Sequence, residues 1–363
     1  MPEYTDIDEP MESPPPEVKR SKGKAPAGAK QILDEHLPWV EKYRPSTLDD
    51  LVSQGDIVQT IRNFMDENRL PHLLFYGPPG TGKTSTILAC ARQMYGEKYK
   101  SMILELNASD DRGINVVRDQ IKTFSSTRRM FDTGVKLVIL DEADAMTSAA
   151  QAALRRVMEK YTNNVRFCLI CNYSSKIIPA LQSRCTRFRF SPLKSQQIRS
   201  RLDYILDCEK VNITPEAKDA LMRLSKGDMR RVLNILQACH ASTTTLSGSG
   251  SIYEEDVYQC TGQPNPKDIE TIVNTLLNDS FASAHSVLQQ LRTVKGLALL
   301  DILGEIGEYL ESVELPQTMR IYLLEKLADL EYRLSGGATE HLQVTALVGI
   351  FKTAVDIAAT TTP

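Results

Sequence analysis

The stretch Gly77-Pro78-Pro79-Gly80-Thr81-Gly82-Lys83-Thr84 constrains this chain more than any other. The spacing Gly77-x-x-x-x-Gly82-Lys83-Thr84 lets consecutive backbone N–H groups turn inward around anionic oxygens. An apolar run, Leu73-Leu-Phe-Tyr76, precedes the loop, and a helical pattern over 84–94 follows it. Strand, glycine loop and helix in that order direct a helix N-terminus at a phosphate. The expected ligands are therefore ATP or another nucleoside triphosphate, and Mg²⁺. Lys83 is expected on the β- and γ-phosphates and the Thr84 hydroxyl on the metal, with Ser85 beside them.

Further on, Lys136-Leu-Val-Ile-Leu140 runs into Asp141-Glu142-Ala143-Asp144. An apolar strand ending in a carboxylate suits a second Mg²⁺ position, with Asp141 reaching the metal through water. Glu142, one residue on, is placed to polarise an attacking water, which points to hydrolysis rather than nucleotide storage. Asp-Glu-Ala-Asp also occurs in RNA helicases of the DEAD-box class. Such a helicase needs a second βαβ lobe, and the pattern after Phe190 is helical instead.

Apolar runs over 72–76, 102–106, 137–140, 167–171 and 186–190 alternate with helix-length segments, the pattern of βαβ units and a mainly parallel sheet. Pro192 opens a helical region in which Thr214-Pro-Glu-Ala reads as an N-cap with proline at the first helical position. The Ser/Thr/Gly stretch 242–251 reads as a flexible loop. After Pro264 and Pro266 the chain is helical again. There Leu323, Leu327, Leu330 and Leu334 form a stripe that suits either a core or a face against other subunits.

The first 35 residues are acidic, then proline-rich, then basic (Lys19-Arg-Ser-Lys-Gly-Lys24), and read as a disordered tail. The basic cluster suits a solvated tail or a nuclear-import signal. With 363 residues and a net charge of −3, the chain has room for two or three domains and no bulk positive charge for nucleic acid. The apolar runs are shorter than a bilayer requires, so no membrane contact is expected. Seven scattered cysteines suit reduced thiols in cytosol or nucleus. Cys168 and Cys171 lie three apart within an apolar run, where alternate side chains face opposite ways, so buried thiols are expected rather than a zinc site.

Around these motifs stand Leu37-Pro-Trp39-Val40-Glu-Lys-Tyr43-Arg44-Pro45, Asp50-Leu51-Val52, Asn107-Ala-Ser-Asp-Asp-Arg112-Gly113, Ser183-Arg184-Cys185 and Gly227-Asp228-Met229-Arg230-Arg231. Together they resemble the sliding-clamp loader subunits of the AAA+ class, and among these the small subunits of replication factor C. The resemblance runs from about Leu37 to the C-terminus. It implies an α/β AAA+ ATPase domain over 36–191, a small helical lid over 192–262 and an all-α collar over 263–363 that joins five subunits in a ring. The implied activity is ATP-driven loading of the PCNA sliding clamp at primer–template junctions, in the nucleus, together with four other subunits.

The resemblance also implies roles for single residues. Val40 and Arg44 lie beside the nucleotide, Asn172 senses the γ-phosphate, and Arg230 is a second sensor from the lid. Arg184 is an arginine finger offered to a neighbouring subunit, so hydrolysis requires an assembled interface. Spacing alone reads Arg184 as a surface residue clustered with Arg187 and Arg189. Arg112, Arg118 and Lys176 are the implied contacts to the DNA backbone, read otherwise as solvated charge. Arg128-Arg129-Met130-Phe131 suits a clamp-facing knob or core burial. A scaffold whose hydrolysis is dispensable is the competing function.

Overall fold

The computed structural model describes residues 37–51, 54–67, 69–108, 114–127, 134–246 and 250–361. The tail and the 128–131 segment lie outside these. The described chain enters through one helical turn, α1 (Trp39–Lys42), and an amphipathic helix, α2 (Gly55–Asp66). It then builds β1 (Leu73–Tyr76), α3 (Lys83–Tyr95), α4 (Tyr99–Met102), β2 (Ile103–Asn107), α5 (Ile114–Ser126), β3 (Lys136–Asp141), α6 (Ser148–Tyr161), β4 (Val165–Cys171), α7 (Pro179–Gln182) and β5 (Thr186–Arg189). The five strands pair in parallel in the order β2-β3-β4-β1-β5.

All five expected strands are present. The near-continuous apolar character of the central strands β1, β3 and β4 follows from burial on both faces of the sheet, whereas the edge strands β2 and β5 are half-exposed. Successive residues alternate between two cores. Phe75, Leu137, Ile139 and Cys168 pack with Ile61 of α2 and Ile87 of α3. Leu74, Val138, Leu140, Phe167 and Cys171 pack with Ile121 of α5 and with Leu154 and Met158 of α6. Cys168 and Cys171 thus sit on opposite faces of the sheet. Burial pushes the Cys171 thiol up to about 12 and that of Cys168 well above its ordinary value. Both are held as neutral thiols.

A second core follows, from α8 (Ser195–Glu209), β6 (Asn212–Ile213), α9 (Pro215–Ser225), α10 (Met229–Leu246), β7 (Ser251–Ile252) and α11 (Glu254–Thr261). Thr214 caps α9 as its sequence predicts, its side chain accepting from Ala217 N at 3.3 Å. The expected loop over 242–251 is shorter than the composition suggested, because α10 continues to Leu246. Ser242 and Thr243 hydroxyls both donate to Cys239 O at 2.9 Å, so these polar side chains serve the helix's own carbonyls. Trp39, although far away in sequence, is buried in this core, and its backbone N–H donates to Gln237 Oε1 at 3.0 Å.

The last core is all helical, from α12 (Pro266–Asn278), α13 (Phe281–Lys295), α14 (Leu299–Ser312), α15 (Gln317–Ser335) and α16 (Glu340–Thr361). Leu323, Leu327 and Leu330 are buried in it and Leu334 packs against it, so the leucine stripe is internal. Each such burial contributes about 2 kcal/mol. Among the described residues one helical stretch, Glu340–Thr360, is long and apolar enough to cross a bilayer, contrary to the impression from short apolar runs. Its Val344, Leu347, Val348, Phe351 and Ala354 pack into this core instead.

Candidate nucleotide-binding site

Parallel pairing puts the C-terminal ends of β1, β3 and β4 on one edge of the sheet, with β4 between the other two. The glycine loop after β1, the acidic pair at the end of β3 and Asn172 just after β4 therefore meet. Two loop glycines are required by space. A Cβ on Gly77 (φ +145°) would stand 2.1 Å from Phe190 O, and one on Gly80 (φ +66°) would stand 1.6 Å from Asp228 Oδ1. Only glycine fits a left-handed backbone pressed this closely.

Lys83 opens α3 and is almost fully buried. Its Nζ donates to Gly77 O at 2.7 Å, Pro78 O at 2.8 Å and Asn172 Oδ1 at 3.1 Å. Burial lowers its pKa, with Asp141 opposing the shift and Arg230 adding to it. Thr84 Oγ1 donates to Asp141 Oδ2 at 2.7 Å. Asp141 Oδ1 accepts from Glu142 N at 2.9 Å, and Glu142 stands in the left-handed region at φ +52°. The chain turns here at the strand end, and the exposed Glu142 lines the cavity. Asp144 Oδ2 accepts from Asn172 N and Tyr173 N, each at 3.3 Å, which fixes the turn that presents Asn172.

A cavity of about 260 Å³ lies over this edge. Its lining includes Val40, Arg44, Pro79, Gly80, Thr81, Gly82, Lys83, Thr84, Ser85, Asp141, Glu142, Asn172 and Arg230. Gly77 and Pro78 do not line it; their carbonyls face the Lys83 ammonium beneath the loop. The remaining wall is largely apolar: Leu51, Leu193, Ile198, Ile205, Met229 and Leu233. Such a wall suits a flat heteroaromatic group, as in most small-ligand sites. Tyr43, Asp50 and Asn107, which the sequence offered only as carriers of the resemblance, also line it, as does Arg201, which the sequence did not single out. For Asn107 a signal existed, since it ends β2 in register with Asp141. Arg201 could be found only through the fold; its Nη2 donates to Tyr43 O at 3.2 Å, tying α8 to the N-terminal segment.

The helical part reaches the loop directly. Met229 N donates to Gly80 O at 3.4 Å, and Asp228 Oδ1 accepts from Arg230 N at 2.8 Å and Arg231 N at 3.3 Å, capping α10. Arg184 is not in the cavity. It precedes β5, whose Thr186 is in register with Leu73 at the start of β1. It therefore lies at the opposite edge of the sheet, about 13 Å away for a four-residue strand. Its Nη1 donates to Ala180 O at 2.7 Å, and its Nη2 is 2.5 Å from Glu159 Oε1. Lys176 is exposed with its Nζ 5.3 Å from the centre of the Tyr173 ring. Arg112 lies outside the described residues, and only the backbone of Arg118, within α5, is described.

Three family models match the chain: AAA, "ATPase family associated with various cellular activities", over 73–193; the RFC1-like AAA+ ATPase lid domain over 195–251; and the replication factor C C-terminal domain over 264–349. Human replication factor C subunit 5 is 57% identical over 323 residues, 89% of this chain and 93% of its own length. Replication factor C subunit 3 of Saccharomyces cerevisiae is 54% identical, covering 88% of this chain and 94% of its own length. Subunit 3 of Schizosaccharomyces pombe is 52% identical, covering 94% and 98%. Among solved structures, a single-residue variant of Thermotoga maritima RuvB shares the fold at 15% identity and a TM-score of 0.50, covering 73% of this chain and 91% of that one. The chain is thus an AAA+ ATPase and belongs to the replication factor C subunits, in the class numbered 5 in human and 3 in yeast.

Proposed function

We propose that this chain is an ATP-hydrolysing subunit of a nuclear, five-membered replication factor C clamp loader. The assembly opens the PCNA sliding clamp and closes it around primer–template DNA. The observation that carries this reading is the shared cavity. Lys83, Thr84, Asp141, Glu142 and Asn172 enter it from the sheet edge, and Arg230 enters it from the helical side. Nucleotide there touches two parts of the chain at once. The division that goes with this reading is an ATPase domain to residue 191, a lid to 262 and a collar beyond.

The chemistry follows from these groups. The Thr84 hydroxyl and Asp141 carboxylate converge at 2.7 Å, a pair of hard oxygen donors that fits Mg²⁺. When bound, that ion neutralises charge on the β- and γ-oxygens. Lys83 is almost fully buried and held by three oxygens at the cavity wall, so its ammonium is already placed where phosphate oxygens would replace them. Glu142 orients the attacking water, and Asn172 holds both that water and the γ-phosphate. Val40 and Arg44 close on the base and ribose.

Arg184 serves a neighbour. Its position across the sheet from its own cavity supports donation in trans. Assembly is supported by α15, which is apolar on two sides. Leu323, Leu327 and Leu330 are buried within the chain, while Ile321, Leu324 and Tyr332 point the other way and are exposed. Only 28% of the apolar stretch of α16 is buried inside the chain, which leaves apolar surface for neighbouring subunits. Arg112, Arg118 and Lys176 grip DNA phosphates without reading bases.

The deciding experiment is ATP turnover by the assembled complex. Glu142→Gln should keep ATP binding and remove this site's share of hydrolysis; full turnover would favour the scaffold alternative. For DNA, Arg112→Ala with Arg118→Ala should flatten the dependence of log affinity on log salt, and an unchanged slope would contradict the assignment.

A further inference from the structure

Glu159 is the one carboxylate bound to Arg184 among the described residues, and it is shared. Its Oε1 accepts from Arg155 Nε at 3.0 Å and lies 2.5 Å from Arg184 Nη2. Arg155 and Glu159 are one turn apart on α6, so the helix presents acceptor and second cation together. The Arg155 hydrogen bond lowers the pKa of the Glu159 carboxyl against an opposing effect of desolvation, and the Arg155 and Arg184 charges add to the lowering. The carboxylate stays ionised at neutral pH.

The ground beneath Arg184 is firmly built. Gln151, also on α6 and 1% exposed, donates to Met146 O and Lys176 O and accepts from Ile178 N at 2.8 Å. Gln182 donates to Ser174 O and Ile177 O. One helix therefore fixes the segment leading to Arg184 at its near end and the guanidinium itself at its far end. Among the described residues, Ala180 O and Glu159 engage two of the five guanidinium N–H groups. The side chain is about one third exposed.

We propose that Glu159 is the positioning residue of the Arg184 finger. It holds the guanidinium at a fixed orientation on the subunit surface, so that the remaining N–H groups meet the neighbour's γ-phosphate without a conformational search. This rests on the reading of Arg184 as a finger in trans. A half-exposed ion pair of this kind is weak. Its value is orientational: a long side chain with four rotatable bonds is held ready, and small misplacements of catalytic groups cost up to about 100-fold in rate. Arg155 competes with Arg184 for the same oxygen, Oε1. Glu159 therefore does not grip Arg184 so tightly that phosphate cannot compete.

The test is steady-state ATP turnover by the assembled complex carrying Glu159→Ala, Arg184→Ala or both. Glu159→Ala should lower kcat by about 10- to 100-fold for the site Arg184 serves, with KM for ATP unchanged, and Arg184→Ala should lower it by about 1,000-fold or more. Glu159→Gln, which keeps an acceptor in place, should retain most of the activity. In the Arg184→Ala background, Glu159→Ala should change nothing further. Wild-type kcat in Glu159→Ala, beside a strong Arg184→Ala defect, overturns the positioning role and leaves the finger intact. Additive losses in the double variant overturn it as well. If Arg184→Ala itself has no effect, it is the finger reading that fails. Melting of the Glu159→Ala chain should match the wild type, since exposed ion pairs contribute little to stability.

Discussion

The Asp228 carboxylate stands where a side chain on Gly80 would have to be, with Oδ1 only 1.6 Å from the ideal Cβ position. Asp228 also caps α10 through Arg230 N and Arg231 N. The phosphate loop and the helix bearing Arg230 are thus in contact through one glycine. A displacement of the loop at Gly80 is therefore passed directly to this helix.

The first prediction concerns that contact. Gly80→Ala forces the loop and α10 apart and puts alanine at φ +66°, so ATP affinity should fall at least 10-fold, by about 1.4 kcal/mol or more. Asp228→Ser, which keeps a capping oxygen on a shorter side chain, should recover part of that loss in the Gly80→Ala background. Titration with a fluorescent ATP analogue measures both. No recovery would mean that backbone strain alone accounts for the defect.

A second prediction is a pH dependence. Phe167 N donates to His72 Nδ1 at 3.1 Å, where β1 begins beside β4. Burial, with the nearby Arg166 charge, pushes the imidazole from 6.5 down to about 4. The folded ring stays neutral in this interval while an unfolded ring takes up a proton. The stabilisation is therefore complete above about 6.5 and is lost progressively as pH falls toward 4. His72→Gln should flatten the fall in melting temperature between pH 7 and pH 5 relative to wild type, whatever it does at neutral pH. Parallel curves for the two proteins would exclude His72 as a source.

A third prediction separates the two sides of α15. Ile321 is 58% and Leu324 38% exposed, on the side opposite Leu323 and Leu330. Ile321→Asp with Leu324→Asp should leave the melting temperature of the chain within a few degrees of wild type. It should also abolish co-purification with the other subunits, because each lost burial removes about 1.5–3 kcal/mol from the interface. A complex that still assembles would place the contact elsewhere.

These tests draw on features of unequal visibility in the sequence. The phosphate loop, the acidic strand end and the five strands could be read directly, because glycine spacing and apolar runs are local consequences of what a parallel sheet buries. Contacts between distant segments could not. Nothing local pairs Glu159 with Arg184, Asp228 with Gly80, or Trp39 with Gln237; each depends on where the chain has already folded. The misread loop at 242–246 has a different cause. Serine and threonine are turn formers when their hydroxyls bind nearby backbone, but in α10 the hydroxyls of Ser242 and Thr243 satisfy Cys239 O within the helix. The resemblance supplied Asn172 and Arg184, the latter of which spacing alone read as a surface charge.

The N-terminal segment gives the last prediction. Trp39 is 7% exposed within the second core, its ring lies 5.6 Å from that of His240, and its backbone N–H is bound by Gln237. Lys42 and Tyr43 both reach Glu209 Oε1 at 2.5 Å. The segment is thus fastened to the helical part on both sides of Val40, and only then, through Leu48, to the sheet core. Val40 and Arg44 hang between these anchors and line the cavity. Any movement of the helical part must carry them along, so this wall of the cavity follows the helical part rather than the phosphate loop. Trp39→Ala should therefore lower ATP affinity although Trp39 does not line the cavity, and should destabilise the helical part by about 3–5 kcal/mol. The milder Glu209→Ala releases Lys42 and Tyr43 without a cavity in the core. It should weaken ATP binding by a few-fold at nearly unchanged melting temperature, as read by analogue titration and thermal unfolding. Wild-type affinity in both variants would show that Val40 and Arg44 are placed by the sheet side instead.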